Sequence, residues 1–489
     1  LSGTGPKAPG FQRTIAFAIA VALFMENLDS TIIATSVPVI SRSLGTTPLN
    51  LSMAVSVYLL SLAIFIPMSG WMADRFGTRT IFASAIGLFT VASALCGMSQ
   101  SLAMLVAARA LQGVGGAMMM PVGRLIMGRS FAKSELVAAM AYVTIPGLVG
   151  PMLGPLIGGA ITTYTSWRWI FYINLPIGLV GIGFALKFIE NMRDPNVKPP
   201  DIVGFFWIGI ALAGLVLGVE NVGRGVLPEG AEVGLFALSA SAGYVYWRHY
   251  KKSAAPALDL KLLDIRTFRT SVLGGSISRV GFGATPFLLP LLFQIGFGRT
   301  PLESGALTFT GTIGAMAMKF GSARIVRRFG FRRLLIGNAI LIGGLGMALA
   351  GFGPTTPAAV IIGVLLLSGF FRTLHFTCMS ALTYADLEKS RMSNGTSIAS
   401  VAQQISMSLG VAVGATVLHL ATELSGKTSP DAAAFVPTLI IVGAIPMLAI
   451  FYFAKLPANA GEEMSGYRRA RLDEAIDTLG DPGAELQKS

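Results

Sequence analysis

The chain has 489 residues, 53% hydrophobic and only 12% charged, with a mean hydropathy of +0.68. Soluble proteins carry about 25% charged residues, so most of this chain cannot face water. The net charge of +13 does not signal nucleic acid, because the basic residues sit in short loops between apolar runs and form no face with interleaved aromatics.

In chain order, fourteen apolar runs approach the roughly 20 residues that a membrane-spanning helix needs. They are 13–34, 51–71, 80–98, 102–124, 137–161, 170–190, 201–220, 231–248, 269–297, 303–324, 331–352, 358–384, 397–422 and 433–455. The loops are short and leave no room for a folded domain outside the membrane. Residues 1–12 read as a tail. The first run is not a cleaved leader, since it carries Glu26 and Asp29 in its middle and no small-residue cleavage site follows. The stretch 456–489 reads as a polar tail. In it, Leu472, Ala475, Ile476 and Leu479 fall at the spacing of a short surface helix. Glu220 ends the seventh run near the outer surface and reads as an exposed terminus. The two cysteines, Cys96 and Cys378, lie in apolar runs and offer neither a disulfide framework nor a zinc spacing.

The 37 Lys and Arg are distributed unevenly. One set of loops holds only Arg42, Arg168, Arg224, Arg299 and Lys427, and the spans hold Arg109, Arg279, Lys319 and Arg372. The rest, Lys7, Lys198 and Lys389 among them, fall on the side of the two termini. The positive-inside rule therefore predicts cytoplasmic termini, with the anionic leaflet as the partner of the basic loops.

The loop after the second run reads Arg75-Phe76-Gly77-Thr78-Arg79, and the loop after the tenth reads Arg328-Phe329-Gly330-Phe331-Arg332, 253 residues later. Equivalent loops in two six-helix sets imply two similar halves. The resulting domains are 13–190 and 269–455, with an extra helix pair and its loops at 191–268. The second copy departs from the first: Arg327 stands where Asp74 does, and Ala323 where Gly70 does.

Four motifs carry chemistry. Gly70-Trp71-Met72-Ala73-Asp74-Arg75-Phe76-Gly77-Thr78-Arg79 places a carboxylate among basic residues at a helix end, with Gly70 allowing close helix contact and Gly77 a tight turn. Arg109-Ala110-Leu111-Gln112-Gly113-Val114-Gly115-Gly116 puts an arginine inside a span, which costs at least about 2.5–3.5 kcal/mol and demands a partner. Gly147, Gly150, Pro151, Gly154, Pro155, Gly158 and Gly159 occupy one span at spacings that bend it and let a neighbour approach. Leu28-Asp29-Ser30-Thr31 puts an acid about mid-membrane, with Glu26 three residues earlier on the same face. Two carboxylates on one buried face do not both ionise easily, which suits a proton carrier.

Together these motifs resemble the major facilitator superfamily over nearly the whole chain, and within it the fourteen-span drug:proton antiporters of the EmrB/QacA type, most closely the HsrA/MdtD-like members. The resemblance implies an all-α fold of two six-helix bundles plus two inserted helices, and a multi-pass transporter of the inner membrane. It implies a charge latch built from Gly70, Asp74, Arg75, Gly77 and Arg79. It implies proton transfer through Asp29 and Arg109, and antiport with export marked by the Gly and Pro motif of the fifth span. Glu26 departs from the family, where an uncharged residue is usual.

Candidate substrate contacts are Glu26, Asp29, Arg279, Phe293, Gln294, Arg372, His375 and Gln403. The repeat offset maps Glu26 onto Arg279 and predicts that the two face each other across the centre. The acids suit a lipophilic cation; Arg279 and Arg372 suit an organic anion or a lipid headgroup. A receptor that kept the fold but not transport would have no need of the proton chemistry. Ala421 to Thr428 nearly matches a phosphate-binding loop, but lacks its first glycine and follows a helix rather than a strand. With no ATP site, metal set or catalytic motif, the expectations are no enzyme activity, no cofactor beyond a coupling proton, and a small-molecule partner. A monomer is expected; a periplasmic adaptor is not legible.

Overall fold

The computed structural model describes residues 9–462 apart from 132, 195, 196, 198, 223–227, 229, 254, 255, 389, 390 and 458. Lys7, Lys198, Arg224, Lys389, most of the two tails and the surface helix around Leu472 lie outside the described residues. Among those described, every regular element is helical. The long helices are α1 (Pro9–Ile32), α2 (Pro48–Phe76), α3 (Thr78–Met98), α4 (Leu102–Ser130), α5 (Lys133–Tyr164), α6 (Asn174–Phe188) and α7 (Ile202–Asn221). They continue as α8 (Ala231–Tyr250), α9 (Gly275–Leu291), α10 (Pro301–Phe329), α11 (Phe331–Ala348), α12 (Ala358–Tyr384), α13 (Met392–Leu424) and α14 (Ala432–Leu448).

Among the described residues, eleven helical stretches are long and apolar enough to cross a membrane. The three long helices outside that number are α5, α8 and α10. The last of these carries Glu303, Lys319, Arg324, Arg327 and Arg328. Helix ends follow local chemistry. Thr47 accepts a hydrogen bond from the Asn50 amide ahead of Pro48, and Thr300 forms a reciprocal capping box with Glu303 ahead of Pro301. These two Thr-Pro caps lie 253 residues apart, at the offset of the loop repeat. Gly77 and Gly330, the glycines of that repeat, both take positive φ, +103° and +70°, in one-residue turns between helices.

The packing repeats as well. α1 lies on α5, α2 on α4 and α3 on α6; in the second half α9 lies on α13, α10 on α12 and α11 on α14. The halves meet along two seams that the same relation interchanges, α2 on α13 and α5 on α10. α7 packs against α2 and α13 and so covers the first seam, with α8 outside it.

At the end of the molecule that the charge pattern assigns to the outside, the halves are closed on each other. Gln294 donates to the Thr35 carbonyl at 2.8 Å, and the Leu302 amide donates to Thr163 Oγ1 at 3.1 Å. A Cβ on Gly159 would collide with the Pro301 carbonyl, and one on Gly305 with the Pro155 carbonyl. Replacing Gly159 or Gly305 by Val therefore wedges this contact apart. With spin labels on Thr165→Cys and Thr355→Cys, against two native cysteines that are buried, the inter-label distance is expected to lengthen. An unchanged distance in both variants would contradict the closure.

Candidate functional site

α1 carries Asp29, and α4 brings Arg109 to it. Arg109 Nη1 lies 2.5 Å from Asp29 Oδ2, with both side chains removed from solvent. Gln112 Nε2 and Asn174 Nδ2 donate to Asp29 Oδ1 at 2.9 and 2.8 Å. Arg109 Nη1 also donates to Gln112 Oε1 at 2.8 Å, and its Nε reaches the Ala54 carbonyl of α2 at 3.4 Å. Its guanidinium carbon sits 4.0 Å above the Tyr58 ring. Asn174 is itself fixed by a 3.0 Å bond to Ser93, which donates to the Phe171 carbonyl at 2.9 Å. The carboxylate thus has three charged or amide donors, and the cation has an acceptor on each of three helices.

The glycines after Arg109 explain why the arginine can reach. A Cβ on Gly113 would strike the Tyr58 backbone of α2, and one on Gly115 the Phe89 backbone of α3. α4 can lie in the groove between these helices only because those positions have no side chain. Gln112 and Asn174 were not singled out as site residues in the sequence. The signals were present: Gln112 follows Arg109 by one helical turn, and Asn174 is a lone amide in an apolar run.

Glu26 is buried beside this group at 8% exposure, and its Oε2 has no hydrogen-bond partner. The opposition of Glu26 and Arg279 across the centre is not found. Arg279 leans back over Gly275, one turn earlier on α9, as helical side chains do. It lies 5.6 Å from the centroid of Phe376 and forms no ion pair among the described residues. His375 is likewise enclosed within the second half, between Phe282 and Phe453.

Between the halves is a cavity of about 150 Å³, bounded by α5, α9, α10, α12 and the outer end of α1. It has room for a small headgroup or a ring bearing one. Among the residues expected to touch substrate, Arg372 lines it. Phe293 is fully buried in the core, Gln294 belongs to the outer closure, and Gln403 is exposed elsewhere on α13. Asp29 and Glu26 do not line it; Thr31 and Thr35, on another side of the first span, do.

The Gly and Pro motif organises this region. Gly150, Gly154 and Gly158 seat α5 against α1, where Cβ atoms would meet the Phe24 carbonyl, the Thr31 side chain and the Ile32 carbonyl. Gly159 faces α10 instead. Pro151 and Pro155 form part of the cavity wall. Gly147 has only Asn27 near, at 3.9 Å from where a Cβ would be.

The expected latch is only partly assembled. Asp74 pairs with Arg129 of the same half at 2.7 Å, both partly exposed, so it does not tie the halves together in this conformation. Gly77 is overlaid by Asn191, whose side-chain Oδ1 accepts from the Thr80 amide, and the Asp194 amide donates to the Asp74 carbonyl at 3.0 Å. The segment after α6 therefore clasps this turn. Arg75 is exposed and Arg79 is half-buried. Gly70 has no close neighbour, contrary to the expected helix contact.

Glu220 corrects a second expectation. It is fully buried, not an exposed terminus. Ser52 Oγ donates to Oε2 at 2.8 Å and Ser56 donates to Oε1, both from α2. Ser56 is joined to the facing half as well, since Ser408 of α13 donates to its carbonyl at 2.8 Å. The reason is packing: α7 lies in the seam between α2 and α13, which removes its end from solvent.

This fold, with two related six-helix halves around a central cavity, defines a transporter of the facilitator class. The sequence matches the Major Facilitator Superfamily over residues 19–411, and the chain belongs to that family. It is 36% identical over 469 residues to multidrug resistance protein MdtD of Escherichia fergusonii, covering 95% of this chain and 98% of the relative. The identity to the protein of that name in Escherichia coli O157:H7 is the same. Among solved structures, a bacterial homologue of the human lysosomal transporter Spinster superposes with a TM-score of 0.64 at 14% identity, covering 94% of this chain and 99% of that one. The human organic anion transporter MFSD10 superposes with 0.58 at 16% identity, covering 91% and 100%. These two show the fold alone.

Removing one member of a buried ion pair strands the other, at a cost of about 3–5 kcal/mol. Arg109→Gln is expected to destabilise the protein by this order, and adding Asp29→Asn to recover part of the loss. Thermal unfolding of the purified protein checks this; equal losses in the single and double variants would contradict it. Glu220→Ala removes a charged acceptor from two serines, which keep only the Leu49 and Ser408 carbonyls, and is expected to cost about 1–3 kcal/mol in the same measurement. A neutral result would contradict the clamp.

Proposed function

We propose that this protein is a proton-driven antiporter that exports small amphipathic molecules across the cytoplasmic membrane by alternating access. Its fourteen long helices would all span, with both termini in the cytoplasm, and it would work as a monomer with the proton as coupling ion.

The observation that carries the reading is the Asp29–Arg109 pair, buried on one face of the span whose other face borders the central cavity. Protonating Asp29 cancels its charge, releases Arg109 to its other acceptors, and so changes what holds α1 to α2 and α4. The cavity wall formed by Thr31 and Thr35 moves with α1. Glu26 is the neighbour that shares or tunes the site. The direction follows the Gly and Pro motif that packs α5 on α1, and the name of the MdtD relatives supports drug export. One proton entering across 100 mV supplies about 2.3 kcal/mol before any pH difference, enough for useful uphill export of a neutral solute.

Asp29→Asn in proteoliposomes is expected to abolish substrate-driven proton movement while leaving substrate-for-substrate exchange largely intact. Undiminished proton movement would show that the coupling carboxyl is elsewhere.

A further inference from the structure

We propose that the cavity between the halves receives an anionic group: Arg372 takes the carboxylate, sulfonate or phosphate of an amphipathic solute, whose apolar part lies against the proline and leucine walls. This names the substrate class of the exporter proposed above and rests on that reading.

Charge is the first argument. Arg372 is the one charged residue in the cavity lining, and no carboxylate lines it. Among the described residues Arg372 has no hydrogen-bond or ion-pair partner. The acids of the first span do not offset it from inside the cavity, because Asp29 is already matched by Arg109 and neither acid reaches the lining. A cation entering here would meet an uncompensated guanidinium; an anion would complete its pairing.

The donors around it are the second argument. Thr285 of α9, Thr312 of α10 and Ser368 of α12 line the same cavity. Their hydroxyls make no hydrogen bond among the described residues, whereas Thr31 and Thr308 are occupied by carbonyls of their own helices. Ser368 precedes Arg372 by one helical turn on the same face of α12. A guanidinium with three uncommitted hydroxyls is a donor set for oxyanions, whereas a cation would find only neutral oxygens and no carboxylate in the lining. Leu289, Leu365 and the prolines on both sides supply the apolar surface.

The consequence for coupling is electrical. Exchange of one inward proton for one outward monoanion moves two charges in the direction that an inside-negative potential favours. Exchange for a monocation moves none.

The test uses two probes with the same ring and opposite charge, 2-naphthoate and 2-naphthyltrimethylammonium, and the full-length protein in phosphatidylcholine nanodiscs. Naphthoate is expected to bind at least about ten-fold more tightly. Arg372→Gln should abolish that preference, Arg372→Lys should retain it, and Ser368→Ala should weaken naphthoate several-fold without helping the cation. The ratio of the two affinities in one sample does not depend on how much of a variant folds. Equal binding of both probes, no binding of naphthoate, or an unchanged ratio in Arg372→Gln would overturn the proposal. Failure of the exporter reading is separate: it would show as absent proton coupling for either probe, whatever the binding ratio.

Discussion

An arginine and an aspartate sealed together within a six-helix half set the terms for the rest of the molecule. Neither is stable there alone, because an unpaired charge in a low-dielectric interior costs more than a fold of marginal stability can absorb. The half must therefore bring α1, α2, α4 and α6 close enough for both carboxylate oxygens of Asp29 to be bonded and for Arg109 to find acceptors on three helices. The glycines at 113 and 115 permit that approach, and Gln112 and Asn174, the latter held by Ser93, add their bonds to the carboxylate. What they build is stable only while the pair stays charged, so a single proton can change which contacts are worth keeping.

α1 connects this site to the cavity. Its residues near Asp29 face the ion pair; Thr31, Ala34 and Thr35 border the space between the halves. Beyond Ile32 the regular helix gives way to a tighter turn at Ala34–Ser36 before it resumes, and the Thr35 carbonyl, left free there, accepts from Gln294 of the other half. The motif glycines of α5 lie along the same helix. A shift of α1 is thus felt at the cavity wall, at the outer closure and at the α5–α10 seam together. The Glu220 clamp holds the other seam, where the inserted α7 bonds to α2 beside its junction with α13.

Much of the fold was legible because membrane helices announce themselves by composition: an apolar run must be a helix if its backbone is to be satisfied in lipid. The repeat was legible too, since Gly77 and Gly330 have a backbone conformation that glycine alone adopts easily. The site was legible in part. Arg109 and Asp29 could be named because each is costly in a span, but that they are partners followed only from packing. The Glu26–Arg279 pairing failed for the converse reason. Sequence offset gives a position on a helix and not the direction of a long side chain, and Arg279 turns back along α9. Glu220 was misread because closeness to a helix end suggests water, whereas a helix laid in a seam buries its end. Gly70 was credited with a contact that this conformation does not make.

The central claim is that the protonation of Asp29 is tied to which end of the cavity is open. Its most direct test is the distance distribution between spin labels across the outer loops, measured at about pH 3 and about pH 7, on either side of the ordinary carboxylate range, in wild type and in Asp29→Asn. The account predicts that the wild-type distribution shifts between the two conditions and that the variant holds one distribution at both. A variant that shifts as wild type does would contradict it.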